Sequence, residues 1–412
     1  NCGGDPLAVS TKAKPTFNNI SFNSNASNGI LLLEANNNTV TSSGAFNAGN
    51  QYISTRNNIN SDVTLTPYTV AGFTNIPYVL RTVATVTSNT TFTIAQDNTF
   101  KTSSGSYGFF VDGALIVDGG ASNPVVFTSL RDDGNGGDTN NDGNTSVPIP
   151  GEAPQIVFRA SSIDSVNHVN YATFTYPNIS IRFENAKGLV ENSTFQLTAA
   201  DAIRITGNAS PTIQNNSFEN ISSSTGQVGN SILMDMFSNP TFSGNTESNV
   251  RIRGIGITGQ TWGSDATVPV RSFAGIDTVT YVMYGNITIP SGTSITIPSG
   301  LVFKSFTRFG TSRTKYGFTV EGALQINGTA STPTVFTLDT DDNYGTPADL
   351  YNDGPGNDTY RSGNWFTFTA TSIDTANIIR NAVIKGATNA INLASSSPTI
   401  DSTYFEQNDY GV

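Results

Sequence analysis

Apolar and polar residues alternate along this chain in short bursts with a period of two. Ala114-Leu115-Ile116-Val117, Val125-Val126-Phe127-Thr128, Ile287-Thr288-Ile289 and Ser294-Ile295-Thr296-Ile297 are typical. Asn, Gly and Ser-Pro punctuation breaks the pattern roughly every 6–10 residues, as turns between short strands do. Successive side chains on a strand face opposite ways, so the alternation predicts strands with one buried face. No stretch carries a sustained apolar stripe at 3.6-residue spacing, so very little helix is expected.

The bursts belong to a repeat. Gly108 to Asp133 reads GFFVDGALIVDGGASNPVVFTSLRDD, and Gly317 to Asp342 reads GFTVEGALQINGTASTPTVFTLDTDD. Each copy runs into an Asp/Asn/Gly-rich loop and recovers at Ser162-Ile163-Asp164 or Ser372-Ile373-Asp374. A smaller period lies inside: Ile181-Arg182-Phe183 returns as Ile203-Arg204-Ile205, and Thr194-Phe195 has counterparts in Thr173-Phe174 and Ser217-Phe218. Between the markers Asp164/Asp374 and Pro211/Pro398 the second copy is 23 residues shorter. One elementary unit of about 22 residues is therefore missing there, which a stack of coils tolerates and a two-sheet sandwich would not.

Three short strands and their turns per unit predict an all-β chain, a right-handed parallel β-helix (solenoid) of ~22-residue coils interrupted by long acidic loops. The expected organisation is a flexible lead-in over 1–14 and a single continuous β-helix over 15–412. Within it lie tandem units at about 15–210 and 211–397 and the start of a third at 398–412. Composition fits: with 36% hydrophobic and 12% charged residues the chain cannot fill a wide core, but a narrow solenoid needs only one or two inward side chains per strand. A net charge of −11 excludes a nucleic-acid partner, which demands clustered Lys and Arg. The single cysteine, Cys2, leaves no intramolecular disulfide. Followed by Gly3-Gly4-Asp5, it resembles the mature start of a bacterial lipoprotein, which implies a lipid on Cys2 as the only membrane contact; a free terminal thiol is the alternative.

Ten of the 31 acidic residues fall in the two loops. Asp132, Asp133, Asp138 and Asp142 lie in the first; Asp339, Asp341, Asp342, Asp349, Asp353 and Asp358 lie in the second. Asp138-Thr139-Asn140-Asn141-Asp142-Gly143 fits the first half of a calcium loop, in which oxygen ligands at alternate positions converge on one ion and Gly allows the turn. Its twelfth position is Ile149 rather than Glu, and the second loop has Tyr351 where the first has Asn140. Calcium is accordingly expected on Asp132, Asp133, Asp138, Asn140 and Asp142, and on Asp341, Asp342, Asp349 and Asp353. The competing reading is a turn cluster whose Asp and Asn side chains cap their own backbone. Tyr351, Tyr360 and Trp365 beside the second loop are candidates for a flat sugar platform, or for a lid packed on the flank.

The frame Gly113 to Gly119, Pro124 to Ser129 and then an acidic loop resembles the right-handed parallel β-helix surface proteins of bacteria. Their Gly-Asp-Trp return is replaced by Gly151-Glu152-Ala153 and Gly363-Asn364-Trp365. The resemblance covers about a third of the chain. It implies a non-catalytic cell-surface or secreted module, structural or adhesin-like, whose partner is an environmental or cell-surface polysaccharide. Two alternatives stay open. Exposed strand edges at the coil ends would let copies stack head to tail into an extracellular filament. A polysaccharide lyase or glycoside hydrolase would use Asp132 and Asp133 with Arg131. His168, the only histidine, aligns with Ile378 and has no nucleophile motif beside it.

Overall fold

The structure, a computed structural model, describes residues 58–68, 74–222, 229–307, 315–356 and 360–412, together with the backbone of seven strands between Leu7 and Thr55. Cys2 and Asp358 lie outside the described residues. The chain divides into two compact units, Asn1–Gly229 with Asn239–Val250, and Asn230–Ser238 with Arg251–Val412.

In the first unit one coil consists of Gly108–Val111, Ala114–Asp118 and Val125–Ser129. The next coil, Gln155–Phe158, His168–Asn170 and Ala172–Thr175, stacks on it strand for strand. The pairing is parallel and in register, with Phe109 on Ile156, Val117 on Val169 and Phe127 on Phe174. Ile181 sits on Ile203 and Phe195 on Phe218, so the 22- to 23-residue sequence period is the climb from one coil to the next. From Val63 onward each strand pairs with the third strand after it, which builds three parallel sheets around a common core.

The second unit repeats the plan. Val302–Ser305, Phe318–Val320 and Ala323–Asn327 carry Thr334–Leu338, Asn364–Phe368 and Ile378–Arg380 on top of them. Phe303 lies on Phe336, Phe318 on Phe366 and Ile326 on Ile379. Among the described residues every paired strand is parallel, and the only helix is a single 3-10 turn at Asp374–Ala376. Both units are right-handed parallel β-helices, as the period-two pattern predicts. A sandwich would have paired its hairpins antiparallel.

In-register stacking sets like side chain on like. Tyr78, Phe100, Phe127, Phe174, Phe195 and Phe218 form a ladder of stacked rings with successive centroids 5.2, 5.5, 4.6, 5.2 and 5.1 Å apart. Tyr281, Phe303 and Phe336 form a shorter one in the second unit, at 5.4 Å per step. Turns are ordered by the same logic. Asn192 and Asn215, one coil apart, both adopt positive φ (51° and 55°), a conformation Asn tolerates better than most residues. Buried Asn216 spans two coils, taking the Ser193 N–H on Oδ1 and donating to the Val190 carbonyl and to Asn245. A core built of single rings has no second layer to fill a gap. Phe174→Ala is expected to destabilise the first unit by about 3–5 kcal/mol; chemical denaturation of wild type and variant measures it.

Candidate metal centres in the two acidic loops

Both loops leave the helix at equivalent strand ends, after Val125–Ser129 and after Thr334–Leu338. A lysine on the preceding strand holds each foot. Lys101 pairs in register with Thr128, and Lys304 with Thr337; both are fully buried. The Lys101 ammonium donates to the Asp132 carbonyl (2.7 Å), the Gly137 carbonyl (2.9 Å) and the Thr139 hydroxyl (2.7 Å). Lys304 donates to the carbonyls of Asp341 (2.7 Å) and Ala348. Burial pulls both amines down to about 8, against the upward pull of the aspartates around them. A chain so poor in charge places an internal cation twice at the same register, where it gathers the loop carbonyls.

Asp132 and Asp341 belong to this foot. Thr128 donates to Asp132 Oδ2 at 2.5 Å, with Gly134 N and Asn135 Nδ2 completing its shell. Asp341 takes the matching bond from Thr337 at 2.5 Å and two more from Asn343. These bonds, and for Asp341 an ion pair with Lys385, engage their oxygens, and neither joins the cluster of ligand oxygens that the sequence pattern assigned them to.

That cluster is built by the other carboxylates. Asp133, Asp138 and Asp142 each bring a carboxylate oxygen to a common point, all within 4.8 Å of one another; Asp342, Asp349 and Asp353 do the same in the second loop. The two triads are repeat-equivalent member by member. Each closes on a glycine with positive φ, Gly143 or Gly354, whose N–H caps Asp138 at 2.9 Å or Asp349 at 3.0 Å. Backbone capping and convergence therefore coexist: one oxygen of the leading aspartate shapes the turn while the set as a whole stays clustered.

The first loop carries the stronger imbalance. Asp133 makes no hydrogen bond; its Oδ1, with Oδ1 of Asn140 and Oδ1 of Asp142, is enclosed without a partner. The other oxygen of Asp142 takes bonds from Asn140 Nδ2 (2.9 Å) and Ser146 (2.5 Å). Burial, then Asp138, pushes the Asp133 carboxyl above its ordinary value. In the second loop burial raises Asp342 despite a bond from the Gly356 N–H. Burial also acts on Asp349, but N–H groups led by Gly354 outweigh it and hold that carboxyl below its usual range. All donors are hard oxygens, with no His or Cys among them, a set that suits calcium or magnesium rather than zinc.

The loops also differ. Tyr351 donates its hydroxyl to buried Asp339. Trp365 is fully buried, its indole N–H donating to the Lys385 carbonyl at 2.8 Å and its face covered by Lys315 at 4.2 Å. It cannot be the sugar platform expected of it, because no face reaches solvent. Tyr360 is partly exposed, so the three aromatic residues do not form one open surface. Behind the second loop, buried Lys385 bridges Asp341 at 3.1 Å and Glu406 at 3.2 Å. The first loop has neutral Thr175 and Gln196 at those positions, joined by a 2.9 Å bond. Arg131 pairs with Glu152 at 3.3 Å, and His168 with Glu191 at 3.0 Å. Lys101, Lys304 and Lys385 escape motif reading; the available signal was a charged residue at equivalent strand positions in a chain that is otherwise sparing with charge.

Compared with protein-family models, with curated proteins and with solved structures, the chain matches none.

Two outcomes are expected. Lys385→Met leaves Asp341 buried without its cation and should cost about 3–5 kcal/mol in a denaturation experiment. Asp133→Asn should act in the opposite direction in chelator at neutral pH. A folded-state pKa above the ordinary value means that the stabilising contribution is present at low pH and is lost as pH rises through it. Removing the charge should therefore raise the melting temperature at pH 7 and leave it little changed at pH 3.

Proposed function

We propose that this chain is a non-catalytic β-helix module of an extracellular or cell-surface protein, with a structural or adhesin-like role, and that its acidic loops bind calcium. The observation carrying the reading is the double construction of one triad: Asp133, Asp138 and Asp142, and Asp342, Asp349 and Asp353, on equivalent loops over equivalent buried lysines. A calcium ion takes six to eight oxygens in flexible geometry, so three carboxylates and water suffice, and the ion would relieve the repulsion among them. Its mechanical effect would be local. Asp133 lies at the loop's departure and Asp142 on its far arm, and a shared cation ties the two together.

Duplication and divergence speak for binding rather than catalysis, since Arg131, the nearest basic candidate, is engaged with Glu152. The resemblance of the cassette to bacterial surface β-helices supports the extracellular setting, where calcium is abundant and polysaccharide is the commonest partner. No helix among the described residues is long and apolar enough to cross a membrane.

Calorimetry tests this. At a calcium concentration about 100 times the dissociation constant, one site should add about 2.7 kcal/mol to the unit that carries it. Asp138→Asn should abolish the gain in the first unit and Asp349→Asn in the second. Identical melting curves in millimolar calcium and in chelator would refute the assignment.

A further inference from the structure

We infer that the first unit holds a binding cleft for a neutral pyranose residue of a polysaccharide, at a place distinct from the aromatic residues of the second loop. The inference rests on the extracellular reading above only for the choice of ligand source. The cleft measures about 370 Å³ and runs between residues 74–77, the foot of the strand Thr99–Thr102, and the loop arm at Asn135 and Gly136.

Ile76, Pro77, Pro124 and Val126 line one part of it with apolar surface. Asn75, Asp97, Thr99 and Asn135 supply polar groups. Thr99 is the telling member: it is only 8% exposed and lines the cleft, and its hydroxyl bonds no described group and is not sealed off from solvent. Water can meet that hydroxyl through the opening, and a ligand hydroxyl can take the water's place. Asn75 is exposed at positive φ (56°), and its amide bonds no described group. Asp97 takes one bond, from Asn123 Nδ2 at 3.3 Å on Oδ2, and leaves Oδ1 available. Asn135 spends its Nδ2 on Asp132 and keeps its carbonyl oxygen.

A pyranose ring has the complementary chemistry, with an apolar C–H face to lie on Pro and Val and a rim of hydroxyls that pair with carboxylate, amide and hydroxyl groups. The volume is at the lower end of ligand clefts and takes a single ring with water. The Asp97 carboxylate in the cleft wall disfavours uronates and sulfated sugars, so the ligand is neutral.

The second unit serves as an internal control. Val302 replaces Thr99, Gly300 replaces Asp97 and Tyr344 replaces Asn135. There Thr280, at the position of Pro77, takes the Thr346 N–H on its hydroxyl at 2.8 Å and donates its own N–H to the Thr346 carbonyl at 3.0 Å, which latches the loop down. The polar lining and the latch thus vary together: the second unit lacks the free polar groups and bonds its loop down, while the first unit's loop packs Gly136 against Pro77 without such a bond and leaves the cleft beside it.

Affinity gel electrophoresis of the full chain tests the inference, with β-glucan, galactomannan, xylan and dextran as neutral probes and polygalacturonate as the anionic one. At least one neutral polysaccharide should retard the protein. Thr99→Val, which installs the second unit's own residue, should weaken that retardation about three- to tenfold, the worth of one hydrogen bond. Asp97→Asn should weaken it similarly. Arg380→Gln, at an exposed ion pair with Asp401 in the other unit, should leave it unchanged, and all three variants should melt cooperatively as evidence that they fold. No retardation by any neutral probe, retardation by polygalacturonate alone, or equal retardation of Thr99→Val and Asp97→Asn with wild type would each overturn the inference. Calcium stabilisation without neutral-glycan binding sinks this inference alone; glycan binding without calcium stabilisation sinks the cation assignment alone.

Discussion

Like side chains stacked on like, at the spacing of hydrogen-bonded parallel strands, are what everything else in this protein rests on. A parallel ladder in register puts each residue directly over its counterpart in the coil below, so a position tolerates only what can pack against a copy of itself. Aromatic rings do this well, and successive rings from Tyr78 to Phe218 lie about 5 Å apart. Asn does it at turns, where its side chain satisfies the backbone of the neighbouring coil. Because each coil depends on its immediate neighbours alone, one coil can be lost from a unit without exposing the rest.

The same constraint explains where chemistry is possible. Regular coils leave no room for converging charges, so polar function is confined to places where the chain leaves the ladder. The acidic loops are the largest such departures, and each needs an anchor to remain ordered. Lys101 and Lys304 provide it from inside, with ammonium groups on the loop carbonyls and little water nearby. A buried cation beneath a carboxylate triad also offsets part of the triad's charge without ligating it, which leaves the three carboxylates facing one another.

The two units show how such a loop diverges while its frame is retained. The second has added the Asp341–Lys385–Glu406 ion network, enclosed Trp365 and latched its loop through Thr280. The first kept neutral partners, three enclosed acceptor oxygens and an open cleft. One copy has moved toward a closed, internally satisfied loop, and the other retains groups whose bonding capacity is unused.

The fold was legible in the chain by itself. Period-two alternation named the strands, and the 22-residue offset between Ile181 and Ile203 named the coil, because side-chain direction and stacking register are local consequences of backbone geometry. The aspartates were also legible as a group, but which of them converge was not. Asp132 and Asp133 are neighbours with identical side chains, and only the path of the loop over Lys101 turns one inward to the foot and the other to the triad. Trp365 looked like a loop aromatic until the packing of Lys315 and the Lys385 carbonyl enclosed it. The cleft at Thr99 left no mark in the sequence, since its walls come from four segments that only tertiary packing brings together. Periodicity is a property of neighbours along the chain; convergence is a property of space.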